Sequence, residues 1–200
     1  IDAFLAERLF GPLGMADTVF ERDGREADLV GIHIYGPDGS INPMPDIGPP
    51  PHPEFYGMGH ALLGTADDYL RYLRMLLGRG ELDGQRVLAA ETVEWMFQNH
   101  IGDLDVTPLL ADHVMAVPEY LPALGSPAKH GFGFVINTAD IEGRRRAGAQ
   151  TWAGVLNTHM WVDPTSDVAG VICTQILPFG HPNVMDLYSA FEREVYATLG

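Results

Sequence analysis

Between Gln150 and Gln175 the chain reads QTWAGVLNTHMWVDPTSDVAGVICTQ, and this stretch leaves few folds open. Thr151–Gly154 is a short extended run that opens into a turn, Thr158–Val162 alternates about Trp161, and Val168–Thr174 is rich in β-branched residues. Runs of this length and make-up suit strands better than helices. Asp163-Pro164 and Ser166-Asp167 supply the turn between the last two, because proline fixes φ while Asp and Ser side chains bond back to the local backbone. Strands joined by such short connections pair with their neighbours, so an antiparallel meander is predicted.

A meander needs something to pack against, and the flanking sequence offers helices. Tyr69, Leu70, Leu73, Leu76 and Leu77 form a helical stripe that starts at a Thr65-x-x-Asp68 capping signal and ends at Gly78 and Gly80. A second helix is expected from Ala90 to Gln98, burying Val93, Met96 and Phe97. A third runs from Asn183, read as its N-cap, to Leu199, with Val184, Leu187, Tyr188, Phe191, Val195 and Leu199 as its apolar face. At the start, Asp2–Phe10 spaces Phe4, Leu5 and Leu9 helically and is expected to stop at Gly11-Pro12.

Leu29–Tyr35 and Phe132–Asn137 read as further strands, while Gly102–Lys129 is irregular. Asn42–Gly59 is too rich in proline for a regular element, and a long ordered loop carrying Phe55 and Tyr56 suits a binding role or a plain surface crossing about equally. Arg144–Arg146 stands at a loop tip and reads as a solvated cluster. With no internal repeat or linker, the 200 residues make one α+β domain.

Composition narrows function. A formal charge of −15 argues against nucleic acid and anionic membrane surfaces, which need clustered cations. No apolar run reaches membrane-spanning length. Cys173 is the single cysteine and sits in an apolar strand, so it reads as a buried, inert thiol. The chain opens on Ile1 and runs directly into helix, which suggests a natural start further upstream.

The residues show no complete catalytic set. Ser40 and Ser166 sit in turns, Ser189 in a helix, and no Gly-x-Ser-x-Gly elbow surrounds any serine. Ser126-Pro127-Ala128-Lys129 matches Ser-x-x-Lys, but that pairing works on a helix, and Gly125 before it and His130-Gly131 after it leave hardly a turn of one. The eight histidines lack metal-ligand spacing, His52 and His60 flanking the proline-rich loop being read as solvated. No phosphate-cradling loop occurs, and no cofactor or metal is expected.

Five stretches, in order, resemble the serine β-lactamase-like hydrolases, the class C β-lactamase and family VIII carboxylesterase branch. They are Leu9–Met15 with Asp17–Phe20, Gly59–Leu77, Val87-Leu88 with Glu91–Val93, Gly131–Phe134, and Trp152–Gly154 through Asp163-Pro164 to Gln175. The resemblance implies a two-part α+β fold, an antiparallel sheet packed with terminal helices plus a helical region, with the active site between them. It also implies that the helix-borne Ser-x-x-Lys and the Tyr-x-Asn loop lie upstream of Leu13-Gly14-Met15, so that the chain matches the C-terminal half of such an enzyme and is expected to be inactive alone.

The family's Lys-Thr-Gly strand motif falls on Trp152-Ala153-Gly154, where family VIII esterases are similar in carrying Trp-Gly-Gly. Trp152 brings no cation and Ala153 no hydroxyl, so a substrate carboxylate would lose its charge-assisted bonds. By the same match the backbone N–H of Val155 is one oxyanion-hole donor, and Phe55 and Tyr56 of the proline-rich loop are expected at the rim of the pocket. The function implied is serine ester hydrolysis through an acyl-enzyme, acting on a small-molecule ester or amide. The alternatives are β-lactamase or peptidase activity, or a non-catalytic hydrolase-like binding protein. In this fold the first strand of the whole chain lies beside the last, so the Val168–Thr174 edge is expected to be covered by the N-terminal half of the protein or by a second copy.

Overall fold

The computed structural model describes residues 1–199 apart from 46, 49, 58, 113 and 114. Strands β1 (His33–Tyr35) and β2 (Ile41–Pro43) form a hairpin. Helices α1 (Ala66–Leu77) and α2 (Ala90–Met96) follow. Then come β3 (Ala128–His130), β4 (Val135–Asn137), β5 (Gln150–Ala153), β6 (His159–Asp163), β7 (Val168–Ile172) and β8 (Ile176–Leu177), and the chain closes with α3 (Pro182–Ala197). Strands β3 to β7 make one antiparallel meander in the order β7-β6-β5-β4-β3, two strands wider than the Gln150–Gln175 pattern alone predicts. β8 leaves that sheet to pair in parallel with β1.

β6 is the centre of the fold, buried at every position because helices cover both of its faces. Its period of two sends Met160 and Val162 into a core with Leu73, Met75 and Leu76 of α1, while Trp161 turns to Tyr188 of α3. The Trp161 indole occupies the space where a side chain on Gly170, its partner on β7, would stand, which accounts for a glycine in mid-strand. Helix α1 begins as its sequence predicts, the Thr65 hydroxyl accepting from Asp68 N–H. The Asp68 carboxylate then accepts from Asp17 N–H at 2.8 Å and from the Thr18 hydroxyl at 2.9 Å, fastening the Leu13–Thr18 turn to this helix.

Several expectations are corrected. The first helix does not stop at Gly11-Pro12. It widens to a π-turn over Ala6–Phe10 and continues through Gly11–Leu13, the extra residue taking up a proline that an α-turn would reject. It ends at Gly14 in the left-handed region, with Met15 N–H reaching Phe10 C=O. The strand expected at Leu29–Tyr35 keeps only its last three residues, and that at Phe132–Asn137 begins at Val135, because Gly133 turns there. Helix α2 stops at Met96. The N-cap of α3 is His181, whose ring accepts from Asn183 N–H, and its buried residues are Val184, Tyr188 and Glu192, while Leu187 and Leu199 are exposed and Phe191, partly exposed, meets the Trp161 ring edge-on.

Arg145 is not solvated. It is 1% exposed, paired at 3.2 Å with a Glu192 that is wholly buried, and lies over the Tyr188 ring. The loop tip folds under α3 instead of away from it. Cys173 is exposed, one residue past the paired part of β7, and partial burial pushes its thiol pKa up. β7 is the edge of the meander, and among the described residues no strand pairs with its outer side.

Candidate active site

The residues of interest stand at the end of β5. Gln150 and Thr151 are buried, the Thr151 hydroxyl donating to Met160 C=O at 2.8 Å. Trp152 opposite Met160 is 49% exposed, and the backbone then turns sharply: Gly154 N–H donates to Thr158 C=O and Asn157 N–H to Gly154 C=O. Val155, 53% exposed, lies inside this turn, and its N–H donates to no group among the described residues. The space beside Gly154 where a Cβ would project is empty. Trp152, Ala153, Gly154 and Val155 thus form one continuous open surface ending in a free backbone donor.

Two residues hold that turn in place. Asn157 is fully buried with φ of 62°, a left-handed conformation that Asn tolerates better than most residues. Its side-chain NH2 donates to Ile176 C=O and Pro178 C=O, and its carbonyl oxygen accepts from Gly180 N–H. The Thr174 hydroxyl lies at hydrogen-bond distance from the carbonyls of Leu156 and Asn157. Neither residue stands out in the sequence, since both act on segments some twenty positions away.

The remaining candidates scatter. Phe55 is 79% exposed, and Tyr56 turns its ring onto Phe20 and donates its hydroxyl to Glu21, which pushes the phenol up to about 12; neither ring meets Trp152. Instead, His130 at the end of β3 meets the Trp152 indole edge-on, with centroids 5.7 Å apart. Ser126 and Lys129 do not pair. The Ser126 hydroxyl points at the carbonyls of Pro127 and Ala139, and the Lys129 ammonium binds Leu104 C=O at 2.7 Å and Asp105 at 2.9 Å.

Glu21, Asp23 and His52 are the one grouping among the described residues with metal-ligand spacing. Glu21 there already accepts from Tyr56 and from His52 N–H, and both ring nitrogens of His52 face carboxylates, so the group is a surface hydrogen-bonded cluster. An apolar groove of about 350 Å³ runs between β1, β8 and α3, lined by Val30, Tyr35, Ile41, Ile176, Val184 and Leu187. It does not include Trp152.

Comparison with known proteins accords with this architecture. The Beta-lactamase family model matches residues 1–193. Protein Rv1367c of Mycobacterium tuberculosis is 31% identical over 97% of this chain and 51% of its own length. Lovastatin esterase of Penicillium rubens is 27% identical, over 96% of this chain and 50% of its own. The unliganded structure of simvastatin synthase (LovD) from Aspergillus terreus superposes with a TM-score of 0.76 at 26% identity, covering 98% of this chain and 49% of that one. The chain therefore spans about half the length of the relatives it matches. The meander flanked by helices agrees with a family match over nearly every residue, and the chain belongs to the beta-lactamase family.

Proposed function

We propose that the full-length polypeptide is a serine ester hydrolase, with this chain forming the receiving wall of its pocket and an upstream segment carrying the nucleophile. The observation that carries this reading is the unpartnered Val155 N–H at an open strand end, held by Asn157 and Thr174. A fixed backbone donor in such a position stabilises the oxyanion that forms when a hydroxyl attacks an acyl carbonyl. In this scheme the upstream serine attacks the ester, the alcohol leaves, and water resolves the acyl-enzyme. Trp152 packs against the substrate body, and Gly154 leaves the approach to the donor clear. A relative named as an esterase supports the ester reading. The lack of a cation at Trp152 and of a hydroxyl at Ala153 weighs against a carboxylate-bearing β-lactam or peptide terminus. Ser126, the serine of this chain that matches a motif, points its hydroxyl at backbone carbonyls with Lys129 bound elsewhere, which supports a nucleophile upstream.

The test is a fluorophosphonate probe on the full-length polypeptide, with the labelled peptide mapped by mass spectrometry. The expected label lies upstream of Leu13-Gly14-Met15, with faster turnover of a short-chain p-nitrophenyl ester than of a chromogenic cephalosporin. A label on Ser40, Ser126, Ser166 or Ser189 overturns the assignment, and no label at all favours a non-catalytic binding protein.

A further inference from the structure

His130 stands in the proposed wall with its proton already assigned by geometry. Its Nδ1 lies 2.7 Å from the carbonyl oxygen of Gly131. A carbonyl only accepts, so Nδ1 carries a hydrogen, and in the neutral form of the ring Nε2 is left with a lone pair. Among the described residues Nε2 makes no hydrogen bond, and it is absent from the buried unpartnered atoms, so it is open to water or to a ligand. The backbone of His130 is fixed by pairing with Val135 on β4 and by His100 N–H, which donates to its carbonyl at 2.9 Å, while the ring is oriented by its Nδ1 contact to Gly131 C=O and by the Trp152 indole at 83° to it. The nearest charged neighbour in sequence, the Lys129 ammonium, is occupied by Asp105 and Leu104 C=O. The neutral form of the ring is an oriented acceptor that touches the Trp152 indole, in a wall that offers no cation.

We propose that His130 determines substrate class: its Nε2 accepts a hydrogen bond from a hydroxyl on the part of the ester lying along Trp152, so that the pocket selects neutral, hydroxyl-bearing esters over their deoxy counterparts. This rests on the reading of Trp152 as the pocket wall. A site that offers a placed acceptor rejects an analogue lacking the donor, because the acceptor is desolvated without replacement. His130 remains half-buried, so the discrimination is modest, roughly ten-fold in kcat/KM.

Two measurements on the full-length polypeptide decide it. The first compares kcat/KM for ethyl butyrate, ethyl 3-hydroxybutyrate and 2-hydroxyethyl butyrate. One hydroxylated ester is expected to lead by roughly ten-fold, chiefly through KM; His130→Phe brings the ratio to about one, and His130→Asn, which keeps an acceptor, restores part of it. Equal values for all three esters, or a ratio that survives His130→Phe, overturns the proposal.

The second follows the imidazole nitrogens by NMR, which needs no turnover. The Nδ1–H tautomer is expected, with the Nε2 signal moving on addition of a hydroxylated ester and not of ethyl butyrate. An Nε2–H tautomer, or no movement with either hydroxylated ester, overturns it. A serine labelled upstream with an inert Nε2 removes this inference alone. A responsive Nε2 without any labelled serine removes the hydrolase reading and leaves His130 as a binding residue.

Discussion

The two faces of the meander are built from different materials. On the α1 face, Met160 and Val162 meet Leu73, Met75 and Leu76 in a core of aliphatic and thioether side chains. On the α3 face, Trp161 and Tyr188 share the interior with Arg145, Glu192 and His159, all of them buried. Glu192 Oε2 and His159 Nε2 have no hydrogen-bond partner there among the described residues. The first face gains stability chiefly from packing, whereas the second holds charges whose burial is tolerable only while they face each other. The lesson is that one sheet can carry both a forgiving layer and a brittle one.

The strongest test of that contrast is Arg145→Ala, which leaves Glu192 buried without its cation. A loss of about 3–5 kcal/mol is expected in urea unfolding, with Arg145→Met/Glu192→Leu recovering most of it because both charges go together. If the double variant is no better than the single one, the α3 face is not held by that ion pair. On the other face, Leu73→Ala is expected to cost about 2–5 kcal/mol and Leu73→Met less than about 1.5, the signature of packing without polar demands. Gly170→Ala drives a methyl into the Trp161 indole and is expected to cost about 1–3 kcal/mol, with the Trp161 near-ultraviolet signal altered.

The α3 face also makes stability depend on pH. Burial, assisted by the Arg145 charge, lowers the His159 pKa to about 4 from an ordinary 6.5. A histidine held neutral in the fold contributes fully above its unfolded pKa, and that contribution is lost as pH falls from about 6.5 to about 4, where the unfolded chain binds the extra proton. Burial shifts Glu192 upward, the Arg145 charge opposing it, and a raised carboxyl acts in the opposite sense. The comparison must therefore be between wild type and His159→Phe, which isolates the histidine. Across that window the stability difference between them is expected to swing against wild type by on the order of 2–3 kcal/mol. A constant difference breaks the assignment of the polar face as the acid-sensitive one.

Much of the α1 face was legible beforehand. The leucine stripe of α1, its Thr65 cap, the three strands from Thr151 to Thr174 and the turn at Asp163–Asp167 all follow from local periodicity and turn chemistry, and the structure keeps them. The α3 face was not. Arg145 lies in a polar triplet that reads as solvent-facing, and only Glu192, 47 positions later, gives it a reason to be inside. The Val184–Leu199 periodicity predicts a face through Leu187 and Phe191, yet α3 is rotated so that Glu192 is buried and those two are not. The candidate site divides the same way. Trp152 to Val155 was a candidate through its resemblance to the family's strand motif, while His130, Asn157 and Thr174 came into view only when the sheet brought them to that turn.

Taken by itself, the sequence determined where most of the strands and helices lie and which of them are amphipathic, because those properties depend on residues within a turn or two of each other. Tertiary structure alone decided which charges are buried and which apolar residues of α3 stay in water. It also decided which backbone donor at the end of β5 is left free. Those outcomes depend on contacts between segments tens of residues apart, where a single partner reverses the free energy of burying a charge.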